Sequence, residues 1–368
     1  MNILITNIFL TSRTGTELYV RDLAMELKRE GHRPAVYTPI QGPIADELKA
    51  SGVAVCSNLL ELPFRPHVIH GHHRIETLTA VLRYTDIPAI FICHDYYTWY
   101  DNPPLHPRIR RYFGVSLACM QRLREATISE KKIGLMLNFV DLKRFLPRSP
   151  LPQYPRRALV FSNYATNRTH LPAIIEACRR TNLGLDVVGA GVGNSISQPE
   201  DILGKYDIVF AKAKAAMEAM AVGTAVILCD FTGVGPMVTS AEFDYLRRLN
   251  FGFKALREPL HPENIMRQIS RYDAQDALRV SELLRSNAGL KQAVQKLIAI
   301  YQEVIEAQKK YPAQETRWRD HALVFRLALR AKMNMWNTSA WHYLHSFSNV
   351  RGISRIKKLV KSIILKFK

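Results

Sequence analysis

The sequence lacks the features of disulfide-stabilised, zinc-binding and membrane-spanning proteins. It has five scattered cysteines and no cysteine pair with metal-ligand spacing, which predicts reduced core thiols in a cytosolic protein. No apolar run approaches the ~20 residues of a transmembrane helix. The first basic residue, Arg13, follows the apolar N-terminal segment, whereas a signal peptide carries its positive charge before that segment. Any membrane association is therefore expected to be peripheral to a cytoplasmic protein.

The sequence also lacks two common ligand-binding motifs, the glycine-rich dinucleotide fingerprint and a metal-binding Asp-x-Asp. The chain opens with an apolar strand, the loop Thr14-Gly15-Thr16-Glu17 and an amphipathic helix, without the spaced triple glycine of dinucleotide-binding folds. Gly15 nevertheless allows backbone N–H groups to approach a ligand. No Asp-x-Asp motif stands in a plausible position, so no metal or other cofactor is expected.

The length and pattern of the chain predict two α/β domains. Its 368 residues, 47% of them hydrophobic, suffice for two cores. Strands alternate with helices, which implies parallel sheets covered on both faces and a ligand cleft at the strand carboxyl ends. The proline-rich segment Leu146–Pro155 separates a first domain, 1–148, from a second, 156–305. A basic tail, 311–368, follows.

One strand, helix, glycine, strand unit places a carboxylate in apolar surroundings. Ile208 to Phe210 is a predicted strand, Gly223 supplies the positive φ that ends the helix, and Ala225 to Leu228 is the next strand. Glu218 lies within the helix, where it can accept hydrogen bonds from ribose hydroxyls. The helix N-terminus, with Lys212 and Lys214, favours phosphate. The alternative is that Glu218 is solvated or pairs with one of these lysines.

Five motifs in order resemble one enzyme family. They are the opening β-loop-α-β unit, His67-Val-Ile-His-Gly-His-His73 with the strand-end His94-Asp95, Leu137-Asn-Phe-Val-Asp-Leu-Lys-Arg-Phe145, Asp186-Val-Val-Gly-Ala-Gly191, and Glu218-Ala-Met-Ala221. In residues 1 to about 305 the chain resembles the retaining GT-B glycosyltransferases of the nucleotide-sugar family 4. The resemblance implies two Rossmann-like doubly wound parallel-sheet domains that face across a cleft, with the last helix crossing back to the first domain.

The resemblance also implies roles for individual residues. His94 and Glu218 are the catalytic candidates, and His94 would hydrogen-bond a hydroxyl of the donor sugar. The alternative for His94 is a structural histidine paired with Asp95 or a backbone carbonyl. The donor-binding candidates are Gly15, Arg168, Gly189, Gly191, Lys212, Lys214 and Glu218.

Four histidines lie close together in the sequence between residues 67 and 73, and they have two interpretations. His67, His70, His72 and His73 have no cysteine among them, and the next acid is Glu76, so a metal site is disfavoured. His70 and His72 alternate onto one face of an extended segment and are expected to line the acceptor side of the cleft.

The chain departs from the family pattern at the donor site. Phe210 stands where the family carries a second glutamate, and Ser162-Asn163 replaces its Gly-Arg dipeptide. Arg168 keeps a cation where the family has lysine and, with Lys212 and Lys214, could replace the lost charge. A second hypothesis is therefore a degenerate GT-B scaffold that binds a sugar nucleotide or glycan without turnover.

The C-terminal tail has a strong excess of basic residues. Residues 311–368 carry twelve Lys/Arg against two acids, within a net charge of +19. A basic amphipathic stripe predicts contact with an anionic membrane through Ile356, Lys357, Lys358, Leu359, Lys361 and Ile363. Docking on the protein's own surface is the alternative; a nucleic-acid partner is disfavoured because no recognition module is found.

Together these patterns predict a cytoplasmic, peripherally membrane-associated glycosyltransferase. It would move a sugar from a nucleotide-sugar donor to a glycan, lipid-linked or glycolipid acceptor with retention of configuration. Retention by same-face substitution asks the protein only to stabilise the departing diphosphate and to hold the acceptor hydroxyl.

Overall fold

The computed structural model describes residues 1–312. The predicted membrane-contact residues, Ile356, Lys357, Lys358, Leu359, Lys361 and Ile363, lie outside the described residues. Within residues 1–312, no helix is both long enough and apolar enough to cross a bilayer.

The first domain is a seven-stranded parallel sheet with helices on both faces. Its strand order is β5-β3-β1-β6-β7-β8-β9. The strands are β1 (Asn2–Thr6), β3 (Arg33–Tyr37), β5 (Ala54–Cys56), β6 (Val68–His72), β7 (Ala89–Cys93), β8 (Ile109–Gly114) and β9 (Ile133–Leu135), and a small pair is formed by β2 (Phe9–Leu10) and β4 (Ile40–Gln41). The helices are α1 (Gly15–Arg29), α2 (Pro43–Ala50), α3 (Arg74–Arg83) and α4 (Leu117–Glu125).

The second domain is a five-stranded sheet of order β11-β10-β12-β13-β14, in which only the edge strand β14 is antiparallel. Its strands are β10 (Arg157–Phe161), β11 (Gly184–Val188), β12 (Ile208–Ala211), β13 (Ala225–Asp230) and β14 (Gly233–Met237). Its helices are α5 (Leu171–Arg180), α6 (Glu200–Leu203), α7 (Ala213–Val222), α8 (Phe243–Arg248), α9 (Pro262–Ile269) and α10 (Ala274–Asn287). The doubly wound α/β prediction is confirmed for both sheets.

The last described helix, α11 (Leu290–Lys310), packs on the first domain. Its apolar residues Val294, Leu297 and Tyr301 are buried in the core around the first sheet. Val140 and Phe145 already belong to the core of the second domain. Residues before 148 therefore already pack in the second-domain core, and α11 crosses back onto the first domain.

Local sequence signals account for several of these elements. Gly223 ends α7 with a φ of 100°, as its position after the apolar helix predicts. Asp273 begins α10 by accepting hydrogen bonds from the N–H groups of Gln275 and Asp276. In β12, Val209 and Ala211 face one core and Ile208 and Phe210 the other, as expected for a strand covered on both faces.

Candidate functional site

The carboxyl ends of the parallel strands of the two sheets border one cleft of about 540 Å³. The first domain contributes Ser12, Arg13, Gly15, His94 and Tyr96, and the second contributes Asn163, Tyr164, Lys212, Lys214, Glu218 and Lys254. Five of the predicted site residues therefore share this cleft: Gly15, His94, Lys212, Lys214 and Glu218. A smaller cavity of about 290 Å³ is bordered by Gly189 and shares Arg13, Asn163 and Glu218 with the cleft.

Glu17, in the first turn of α1, holds the loop that precedes this helix. The Glu17 carboxylate accepts hydrogen bonds from the Ser12 N–H at 2.6 Å, the Ser12 hydroxyl at 2.9 Å and the Thr14 hydroxyl at 3.0 Å. A Cβ added to Gly15 would meet no heavy atom of residues 1–312 within 4 Å. Within that part of the chain, open space therefore lies beside this helix N-terminus, where backbone N–H groups point outward.

Arg13 joins the two domains, a position that the sequence patterns do not predict. Its guanidinium pairs with Glu47 and donates to the Ser197 carbonyl at 2.9 Å. The Asn163 amide in turn lies 3.5 Å from the Arg13 carbonyl and accepts from the Ala190 N–H at 3.1 Å. The only local signal for Arg13 is its place between the first apolar strand and the glycine loop.

His94 directly follows β7 and is held by backbone and side chain. Its N–H donates to the Asp101 carboxylate at 2.6 Å, and its ring Nε2 lies 2.8 Å from Nδ1 of His72. Burial lowers the pKa of His94 to about 3. The ring that borders the cleft is therefore a neutral imidazole at physiological pH.

The expectation that His70 and His72 line the cleft is wrong. Both side chains are fully buried in β6, the central strand that pairs with β1 and β7. Nδ1 of His70 lies 2.5 Å from the Tyr301 hydroxyl of α11, which covers this face of the sheet. A central parallel strand is covered on both faces, so alternation within it does not bring side chains to the cleft.

Glu218 lies at the base of the cleft within an interdomain charge cluster. Its side chain is buried, and a carboxylate oxygen lies 3.6 Å from Nζ of Lys214. The same Nζ lies 2.9 Å from the Asp22 carboxylate of α1 in the first domain. Burial raises the pKa of Glu218, an effect that Lys214 partly opposes. For Asp22, Lys214 and Arg21 together outweigh burial and lower the pKa.

Lys212 is also paired with an acid. Its Nζ contacts the fully buried Asp230 at the end of β13 and lies over the rings of Tyr164 at 5.5 Å and Phe231 at 5.3 Å. Both predicted phosphate lysines therefore already have carboxylate partners in the described part of the chain. Within that part, Lys254 is a cleft cation with no acid at ion-pair distance, and it lies over the Tyr96 and Phe253 rings.

The remaining predicted donor residues occupy other positions. Arg168 is exposed and borders neither cavity, so it does not bring its charge to the cleft. A Cβ on Gly189 would collide with the Ser162 carbonyl, and one on Gly191 with the Ala165 carbonyl. These two glycines therefore allow the loop after β11 to pack closely on the Ser162–Ala165 segment. Phe210 is buried in the second-domain core.

The first residue of α7 has an unusual backbone conformation. Ala213 borders the cleft with a φ of 51°, and its N–H donates to the Phe251 carbonyl at 2.8 Å. A residue with a Cβ in the left-handed region costs roughly 1–2 kcal/mol. The Phe251 hydrogen bond helps to hold this turn, which sets the direction of α7 and hence the position of Glu218.

Replacing Ala213 with glycine is expected to raise the free energy of unfolding by about 1 kcal/mol, because glycine adopts positive φ without steric cost. Ala215→Gly, in the interior of the same helix, is the matched control and should lower it by about 1 kcal/mol. Urea unfolding midpoints measure both. Equal losses in the two variants would contradict the strained turn.

Comparison with known proteins agrees with this architecture. Residues 13–144 match the sequence model of Glycosyltransferase Family 4. No curated protein matches the chain significantly.

Among solved structures, similar folds include a glycosyltransferase from Rickettsia africae, HepE from Anabaena in complex with UDP, and sucrose-phosphate synthase from Thermosynechococcus elongatus. The first is 17% identical, covers 83% of this chain and 98% of its own, and has a TM-score of 0.57. HepE is 12% identical, covers 82% of this chain and 100% of its own, and has a TM-score of 0.63. The synthase is 13% identical, covers 83% of this chain and 99% of its own, and has a TM-score of 0.58. These similarities extend over both domains and concern the fold.

Residues 13–144 are therefore similar to Glycosyltransferase Family 4, and the chain shares the two-domain fold of these solved structures.

Proposed function

We propose that this protein is a glycosyltransferase that moves a sugar from a nucleotide-sugar donor to a glycan, lipid-linked or glycolipid acceptor with retention of configuration. The observation that carries the proposal is the meeting of His94 and Glu218, from different domains, at one cleft. Glu218 would accept hydrogen bonds from the ribose, and His94 would contact the transferred sugar. Arg13, Lys254 and the N–H groups at the start of α1 would stabilise the departing diphosphate.

Same-face substitution suits this cleft because it asks little of side-chain chemistry. The acceptor oxygen forms its bond to the anomeric carbon on the side from which the diphosphate leaves, and the acceptor proton passes to the departing phosphate oxygen. Donors and cations that hold the two reactants in place supply the catalysis. We propose that the reaction needs no metal, which activity in excess EDTA would test.

A panel of nucleotide sugars tests the donor class. HepE is described in complexes with UDP and with UDP-glucose, so uridine donors come first. A ligand at 100 times its Kd stabilises the folded protein by ~2.7 kcal/mol, which a thermal shift detects. Failure of every nucleotide sugar to shift the transition would overturn the proposal.

The second candidate function is binding without turnover. It is favoured by Phe210, which is buried in the core where the family has a glutamate, and by the acid partners of Lys212 and Lys214. Release of free sugar from the donor that binds distinguishes the two, because an active transferase leaks some sugar to water. Binding with neither hydrolysis nor transfer would support the scaffold hypothesis.

Two arginines offer a direct comparison within the binding assay. Arg13→Ala is expected to weaken binding of the nucleotide diphosphate about tenfold or more, since hydrogen bonds to charged groups contribute ~1.5–3 kcal/mol. Arg168→Ala should leave the affinity unchanged, because Arg168 is exposed and outside the cleft. Isothermal titration with UDP measures both; a loss confined to Arg168→Ala would restore the original sequence-based assignment.

Peripheral membrane association remains part of the proposal. It depends on the basic stripe that includes Ile356, Lys358 and Leu359, outside the described residues. The proposed acceptor class rests instead on the resemblance to the glycosyltransferase family.

A further inference from the structure

Two imidazoles meet behind the cleft, and their hydrogen bond leaves one ring nitrogen for a ligand. Nε2 of His94 lies 2.8 Å from Nδ1 of His72. Tyr19 packs edge-on against both, with ring centroids 4.8 Å from His94 and 5.3 Å from His72. Because Nε2 of His94 is engaged by His72, Nδ1 is the ring nitrogen that remains for the cleft.

Both rings are neutral, so one proton must occupy the shared position. Burial lowers the pKa of His94 to about 3 and holds that of His72 well below its usual range, and the neighbouring histidines lower the latter further. A neutral imidazole carries its single proton on one nitrogen. The hydrogen bond therefore has two possible arrangements, in which either His72 or His94 is the donor.

The surroundings of His72 distinguish these arrangements. If His94 donated from Nε2, the proton of His72 would reside on its own Nε2. That atom is fully buried and has no hydrogen-bond partner among residues 1–312. If His72 donates from Nδ1, its Nε2 is instead a bare acceptor. Orphaned buried N–H groups are rarer than under-satisfied acceptors, so the second arrangement is favoured.

We propose that His72 is a positioning residue that fixes His94 in the tautomer protonated on Nδ1, so that the cleft receives a neutral N–H donor rather than a base. The ligand group that fits this donor is an oxygen with a free lone pair, such as a sugar hydroxyl. His94 then does not accept the proton of the acceptor hydroxyl. This inference rests on the proposed function for its catalytic meaning, but the tautomer itself does not.

The tautomer can be measured without any substrate. The full chain is labelled with ¹⁵N-histidine, and long-range ¹H–¹⁵N correlations of the imidazoles are recorded, with the His94 signals identified by their loss in His94→Asn. We expect a protonated Nδ1 and an unprotonated Nε2 for His94. A protonated Nε2 would overturn the proposal.

Three variants assign the effect to His72. His72→Met offers Nε2 of His94 a thioether that can only accept, so it should move His94 toward the Nε2-protonated form that free histidine prefers. His72→Asn, whose amide can donate from nearly the place of Nδ1, should keep the proton on Nδ1. His70→Met is the matched control, because His70 is buried in the same strand but contacts Tyr301 instead of His94. An unchanged tautomer in His72→Met, or an equal change in His70→Met, would overturn the assignment; if His72→Met does not fold, His72→Asn and wild type decide it.

Kinetics supply a second readout if the protein transfers sugar. His72→Met should lower kcat roughly tenfold or more, and His72→Asn should recover part of that loss. Because burial holds the pKa of His94 near 3, wild-type activity should show no loss near pH 6.5 that depends on His94. A protein with the expected tautomer but no turnover would refute the proposed reaction and leave the role of His72 intact.

Discussion

Changing Glu218 to glutamine is expected to weaken binding of the nucleotide sugar by about one to two decades while the fold is retained. Glutamine keeps the shape of the side chain but removes a charged acceptor, and hydrogen bonds to charged groups contribute ~1.5–3 kcal/mol. Glu218 is only 4% exposed and borders both the cleft and its smaller neighbour. Isothermal titration with the donor found in the panel measures the change.

The affinity for the nucleotide sugar that is lost in Glu218→Gln should depend on pH, which provides a second test. Burial raises the pKa of Glu218 above its ordinary value. As the pH falls through this raised pKa, the wild-type carboxyl becomes neutral like glutamine. The affinity difference between wild type and Glu218→Gln should therefore be largest at high pH and shrink on acidification.

Glu176→Gln is the matched control for Glu218→Gln, because Glu176 lies in α5 with its side chain 40% exposed, and among residues 1–312 its ion-pair partner is the neighbouring Arg179. It should bind donor like wild type. If Glu218→Gln also binds and turns over donor like wild type, Glu218 has no part in the site.

Removal of the Lys214 ammonium is expected to cost about 3–5 kcal/mol of folding free energy. Breaking a buried ion pair from one side has this magnitude, since it leaves uncompensated charge. Lys214→Met would leave Asp22 and Glu218 without the cation that lies between them, 2.9 Å and 3.6 Å away. The contact with Asp22 joins the two domains, so small-angle scattering should also show a wider cleft.

The double variant Lys214→Met/Glu218→Gln separates charge from packing. It should regain part of the stability, because Glu218 has no other basic group at ion-pair distance among residues 1–312, whereas Asp22 keeps Arg21. Lys309→Met is the control: Lys309 pairs with Glu306 on the exposed surface of α11 and should change the free energy of unfolding by less than about 1 kcal/mol. A Lys214→Met variant as stable as Lys309→Met would show that the interdomain pair does not hold the cleft together.

The contribution of Asp22 to the free energy of unfolding should depend on pH. Lys214 and Arg21 outweigh burial and hold the pKa of Asp22 below its ordinary value. Its contribution to stability is therefore present above the unfolded carboxyl pKa and is lost as the pH falls toward the folded one.

Local patterns were enough to locate most elements and part of the site. The alternation of strands and helices, the glycine at 223 and the strand that ends at Cys93 all depend on neighbours within a few turns. A side chain that follows a parallel strand necessarily emerges at the carboxyl edge, which is why the place of His94 follows from its sequence neighbours.

Partners distant in the chain could be known only from the folded molecule. Lys214 looked like a phosphate ligand, yet its Nζ meets Asp22, 192 residues earlier. His70 looked like a cleft residue, yet α11 returns over its strand and places Tyr301 against it, 231 residues later. The sequence of a strand shows which side chains share a face, whereas the layer that covers that face comes from elsewhere in the chain. Charge pairing and burial, which decide the pKa and the availability of each group, therefore belong to the tertiary structure.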